Sequence, residues 1–245
     1  MRILVVNVNT NESVTEDIAR AARQAASAGT EIVALTPRFG SESVEGNFES
    51  YLAAVGVMDI VMAYNETFDA VVQAGFGEHG REGLQELVNV PVIDITEAAA
   101  HLAMMLGYRF SIVTTLQRTV PQILDRLRVA GVLEHCASVR ATGLSVLELA
   151  EDPARTCRVV VNEAMKAIRN DQAEVICLGC GGLAGLDQMV ADEAGVPVVD
   201  GVGAAVGLAE TLVRLGLSTS KIGAYASPLP KARTGWPIPR GDVAP

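Results

Sequence analysis

Val90-Pro-Val-Ile-Asp-Ile-Thr-Glu-Ala-Ala-Ala-His-Leu-Ala103 and Val196-Pro-Val-Val-Asp-Gly-Val-Gly-Ala-Ala-Val-Gly-Leu-Ala209 are one segment written twice. Eight of their fourteen positions are identical, at a spacing of 106 residues. Two further pairs keep the same order. Asp69-Ala-Val-Val-Gln-Ala-Gly75-Phe-Gly77 matches Ala173-Glu-Val-Ile-Cys-Leu-Gly-Cys180-Gly181, and Arg2–Asn7 matches Arg109–Thr114. Self-similarity in this order marks a duplicated unit.

Outward from these segments, apolar runs of strand length alternate with runs of helical spacing. Strands are predicted at Arg2–Val6, Glu31–Leu35, Ala70–Ala74 and Val90–Ile93, and again at Phe110–Val113, Ser138–Arg140, Glu174–Leu178 and Val196–Val199. Lys221–Tyr225 reads as a final strand. Helices fall between, among them Ser13–Ala26, capped by Asn11 or Ser13, and Asn47–Tyr64. This alternation predicts an α/β fold of two pseudo-symmetric lobes, each a mostly parallel sheet flanked by helices, with the active site in the inter-lobe cleft. The lobes are expected at residues 1–98 plus 208–245, and at 99–207.

Composition bounds the function. Of 245 residues, 49% are hydrophobic and 20% charged, which suits a packed core. A net charge of −10 argues against nucleic acid as partner, since phosphate binding needs clustered cations. No apolar run reaches the length of a membrane span, and no leader is visible. Four cysteines make no disulfide framework, and the expectation is a cytoplasmic protein acting on a small molecule. No metal set is apparent: the cysteines show one C-x-x-C, Cys177 and Cys180, and the histidines are scattered. Strand alternation puts Cys177 inside the sheet.

Residues just beyond the strand ends are the site candidates. Cys180, in Cys177-Leu-Gly-Cys180-Gly-Gly-Leu-Ala-Gly185, follows a strand and precedes glycines and a predicted helix start. Backbone N–H groups there are expected to lower the thiol pKa. Gly75-Phe-Gly77-Glu-His-Gly80 is a literal G-x-G-x-x-G, with Asp94 where a ribose-binding acid would stand. It follows the third strand rather than the first, and Asp94 has a repeat partner in Asp200, so duplication explains it better than a dinucleotide does. Glu78 and His79 read as exposed turn residues, with acid–base service as the alternative. Asn7, Asn9, Thr114 and Thr115 are hydrogen-bond donors at strand ends.

Together these residues resemble the aspartate/glutamate/hydantoin racemase superfamily, and most closely its hydantoin and allantoin racemase branch. The resemblance runs from Arg2–Thr10 through Val44-Glu-Gly46, the Gly75 turn, Val90–Asp94, Val113–Leu116 and Cys177–Gly185 to Pro230–Trp236. It implies a cofactor-independent, oligomeric enzyme in which two cysteines work on opposite faces of an acidic α-carbon, as in a 5-substituted hydantoin. The second of these cysteines falls on Cys180. The first falls on Gly75, which cannot transfer a proton. The resemblance further implies that Asn9, Thr114, Thr115 and the amides at Phe76, Gly77, Gly181 and Gly182 bind substrate. Three accounts of Gly75 follow: His79 or a water replaces the thiol; a malonate-type decarboxylase protonates from one side through Cys180; or the residue was engineered to disable a racemase. A binding protein that has lost its chemistry is the non-enzymatic alternative.

Overall fold

The computed structural model describes residues 1–232 and Thr234, so Gly235 and Trp236 of the tail resemblance lie outside the described residues. In the first lobe the order is β1 (Arg2–Val6), α1 (Glu12–Ala25), β2 (Glu31–Leu35), α2 (Asn47–Met62), β3 (Ala70–Gln73), α3 (Arg81–Leu87) and β4 (Val92–Asp94), followed by α4 (Ile95–Leu106). The second lobe repeats the scheme. It has β5 (Phe110–Thr114), α5 (Val120–Val129), β6 (Cys136–Ala141), α6 (Glu148–Glu151), α7 (Pro153–Asp171), β7 (Val175–Leu178), α8 (Asp187–Ala194) and β8 (Val198–Asp200), followed by α9 (Gly201–Arg214). The sheets are wholly parallel, ordered β2-β1-β3-β4 and β6-β5-β7-β8. Central strands buried on both faces explain why β1 and β7 read as unbroken apolar runs rather than alternating ones.

The repeated Val-Pro-Val-x-Asp segment has a local logic. The carbonyls of Pro91 and Pro197 accept from Val71 N–H and Ile176 N–H, at 2.9 and 3.0 Å, and start the edge strands. A proline fits there because its missing N–H is not needed at the first residue of an edge. Each Asp then caps the next helix: Asp94 accepts from the N–H groups of Thr96 and Glu97, and Asp200 from those of Val202 and Gly203. Capping, not ribose binding, accounts for Asp94.

Helices α4 and α9 are exchanged. Helix α4 leaves the first sheet and packs on β7 and β8, whereas α9 leaves the second and packs on β3 and β4. The two also pack on each other, and the shared layer between the sheets is the largest core, from Ile3 and Val72 to Cys177 and Val206. At their N-terminal ends the α-carbon of Gly201 lies against Ile95. A Cβ there would stand 2.8 Å from the Ile95 carbonyl oxygen, so this position needs glycine.

Two expectations are corrected. Lys221–Tyr225 is no strand: Gly223 has φ 76°, Gly223–Tyr225 form a 3-10 turn, and Lys221 Nζ donates to the carbonyls of Gln85 and Glu86 at the end of α3. The second concerns the repeat register around Gly75. Ala74 N–H donates to Val6 and Gly179 N–H to Val113, both at 2.8 Å, while Ile3 pairs with Ala70 and Phe110 with Val175. The equivalent of Cys180 is therefore Gly75 itself, one residue away from the sequence alignment, which had set Gly75 against Gly179.

Candidate active site

The ends of β1, β3, β5 and β7 converge on one open cleft. Asn9, Gly75, Phe76 and His79 line it from the first lobe, and Thr114, Thr115, Cys180, Gly181 and Gly182 from the second. The lobes touch closely here. A Cβ on Gly181 would lie 2.9 Å from the Ala74 carbonyl oxygen, so a side chain at 181 would wedge the two strand ends apart.

Cys180 is half-buried, and its sulfur accepts the Gly182 N–H at 3.4 Å. Its thiol pKa is nevertheless raised, to about 11: burial outweighs the N–H groups of Gly182 and Leu183, and the charge of Glu45 adds to the rise. The expected lowering fails for a structural reason. Only the 3-10 turn Gly181–Leu183 follows Cys180, and the next α-helix begins at Asp187, so the helix start expected directly after the thiol is absent. Cys180 rests as a thiol. Cys177 is fully buried, as strand alternation predicts, with burial pushing its thiol far up.

His79 is the larger surprise. It is buried, not an exposed turn residue, and burial pushes its pKa down to about 4 against a smaller opposing effect from the Phe76 carbonyl. Its Nδ1 lies 3.0 Å from Ser50 Oγ on α2, and the Ser50 hydroxyl donates to the Glu78 carbonyl. Glu78 itself is partly exposed. Its carboxylate accepts from Gly80 N–H and from Arg126, and burial still raises its pKa, helped by Glu82.

The remaining candidates divide. Asn9 Oδ1 is occupied by Asn7 Nδ2 and Asn11 N–H, and among the described residues its own Nδ2 hydrogens have no acceptor. Thr114 gives its hydroxyl hydrogen to the Gly179 carbonyl at 2.9 Å, and so braces the Cys180 loop. Thr115 keeps its hydroxyl free at the cleft among the described residues. Gly77 departs from expectation: its N–H donates to Thr96 Oγ1 at 2.8 Å, and the residue does not line the cleft.

Val44 and Glu45, marked in the sequence only by the resemblance, and Val146, which sequence reading missed, meet at the cleft: the two valines face it from opposite lobes, and Glu45 Oε1 accepts the Val146 N–H at 3.0 Å. Sequence reading also missed Arg126, buried on α5, which binds Glu78, Glu82, Asp94 and Glu97 across the lobe boundary. Four acids within one Arg's reach come from separate turns and helices, and spacing carries no trace of that. Among the described residues no group of His, Cys, Asp and Glu has the arrangement of a metal site.

A duplicated α/β fold whose equivalent strand ends face each other, with a thiol at one of them, defines a two-lobed enzyme with its chemistry in the inter-lobe cleft. Comparison with known proteins narrows the class. The family model described as Asp/Glu/Hydantoin racemase matches residues 3–209, and the chain belongs to this racemase family. It is 38% identical to a hydantoin racemase of Pseudomonas sp. (strain NS671), covering 96% of this chain and 95% of that one. With a hydantoin racemase of Paenarthrobacter aurescens it shares 39% identity, over 94% and 99%. Among solved structures, an allantoin racemase of Pseudomonas fluorescens superposes with a TM-score of 0.95 at 68% identity, covering 96% of this chain and all of that one. An arylmalonate decarboxylase, at 18% identity and a TM-score of 0.58, shares the fold.

Proposed function

We propose that this enzyme inverts the α-carbon of a 5-substituted hydantoin without a cofactor, with Cys180 as an acid–base group on one face. The observation that carries this reading is Cys180 at a strand end on the cleft, opposite its equivalent position in the other lobe. A hydantoin C5–H is acidic because the carbanion delocalises into the adjacent carbonyl, so one group must remove the proton and another deliver one from the far face. Cys180 rests as a thiol and so is ready to deliver. Asn9 Nδ2, the Thr115 hydroxyl and the amides of Phe76 and Gly181 are donors for the ring carbonyls and the enolate-like oxygen. Their lining of the cleft supports that role.

The likeness to the Pseudomonas fluorescens allantoin racemase favours a substrate with a ureido substituent on C5. Cys180→Ala is expected to abolish interconversion of separate allantoin enantiomers, followed by circular dichroism above the spontaneous rate. Unchanged racemisation would remove Cys180 from the chemistry. The decarboxylase alternative rests on the missing thiol at Gly75; CO₂ release from an aryl- or alkylmalonate panel would establish it in place of racemisation. The exposed Met105, Leu106, Tyr108 and Val129 support a homo-oligomer, and four free cysteines a reducing compartment such as the cytoplasm. No helix among the described residues is long and apolar enough to cross a membrane.

A further inference from the structure

The racemase reading leaves the face opposite Cys180 without a named proton carrier, and Gly75 supplies none. The space beside it is not empty, however. A Cβ built on Gly75 would lie 2.4 Å from His79 Cδ2, so the imidazole edge occupies the volume where a side chain at 75 would begin. Val8 closes the other side, with Cγ1 at 2.5 Å.

The tautomer of His79 follows from hydrogen counting. Ser50 has one hydroxyl hydrogen and gives it to the Glu78 carbonyl, an acceptor with none to return. Ser50 Oγ is then free to accept from His79 Nδ1, 3.0 Å away, in the Nδ1–H tautomer. That leaves Nε2 with its lone pair, on a residue that lines the cleft. The Phe76 carbonyl stands 3.4 Å from Nε2, too far for a good hydrogen bond at rest but placed to receive one once Nε2 is protonated.

We propose that His79 is the second acid–base group of the cleft, in the place of the side chain absent at Gly75, and that Ser50 is the positioning residue that fixes its reactive tautomer. The step rests on the racemase reading and balances as follows. The C5–H bond breaks, its proton goes to Nε2, and its electron pair passes into the adjacent carbonyl. The S–H bond of Cys180 breaks on the opposite face, its proton forms the new C–H bond with the returning pair, and the thiolate remains. Transfer of the proton from Nε2 to the sulfur, through solvent after product leaves, restores both groups. At rest the imidazole is neutral and the thiol protonated, which is the pairing this direction requires.

The test uses the intact enzyme, allantoin enantiomers taken separately, and ¹⁵N NMR of the imidazoles. His79→Asn should slow inversion about 100-fold or more. Ser50→Ala should lower kcat with KM unchanged and move His79 toward the Nε2–H tautomer. In the native enzyme His79 should show a protonated Nδ1 and a bare Nε2, assigned against His101 and His135 by its loss in His79→Asn. Racemisation at the native rate in His79→Asn, or a native Nε2–H tautomer, would overturn the proposal; where that variant does not fold, His101→Gln and His135→Gln, both outside the cleft, assign the native His79 signal by elimination and the NMR arm decides. Absence of both inversion and exchange in the native enzyme would overturn the racemase reading instead, and the tautomer would still show whether Ser50 orients His79.

Discussion

At Gly75 a single added carbon would collide with both His79 and Val8. Gly75→Ala is therefore expected to destabilise the fold by about 1–3 kcal/mol, the usual range for overpacking, read as a lower urea midpoint. In a His79→Ala background the same change should be milder, and a double-mutant cycle measures the coupling. Restoring a cysteine at 75 without making room at 79 is expected to fail for the same reason. His79 also makes the protein acid-sensitive. Its folded pKa of about 4 lies below the unfolded value near 6.5, so the unfolded chain takes up the proton first. The stability from keeping this ring neutral is complete above about pH 6.5 and is lost as pH falls toward 4. Between pH 7 and pH 4.5 the native chain should lose roughly 2–3 kcal/mol more than His79→Gln, by urea unfolding at each pH.

Among the elements, α5 carries the strongest polar link to the first lobe. Arg126 is buried and meets Glu78, Glu82, Asp94 and Glu97, so its removal leaves the fully buried Asp94 with Arg81 alone, at 3.5 Å. Arg126→Met is expected to cost about 3–5 kcal/mol at neutral pH. The loss should shrink on acidification, since burial already raises the pKa of Asp94 and Glu78 and they neutralise early. The elements themselves were legible. Strands β1, β2, β3, β5 and β7 begin within a residue of the sequence reading, because apolar runs between polar turns leave few alternatives. Lys221–Tyr225 misled because Gly223, at φ 76°, turns the chain and leaves Ile222 exposed, so its apolar residues pair with no strand among the described residues. In the site, the repeat pointed to the turns of Cys180 and Gly75 but misaligned them by one residue, and only the resemblance paired the two positions. The burial of His79 was not legible, since it depends on a missing Cβ four residues earlier, whose place the imidazole edge takes.

Across the whole molecule, the lobes meet through a hydrogen bond at the cleft mouth as well as through α4 and α9. Glu45 reaches Val146 N–H across the opening, and its charge also raises the Cys180 pKa. Glu45→Gln keeps an acceptor but removes the charge. It is expected to shift the pH midpoint of Cys180 alkylation by iodoacetamide below about 11; an unchanged midpoint would show that Glu45 has no electrostatic hold on the thiol. The exchanged helices bear on how this protein is made. A ribosome that has released residue 200 has delivered every strand of the first sheet but not α9, which covers β3 and β4. The oldest part of the chain must wait, its apolar face open, for one of the youngest. A chain stopped at Asp200 is expected to be recovered as insoluble aggregate, although its first half contains a complete four-stranded sheet.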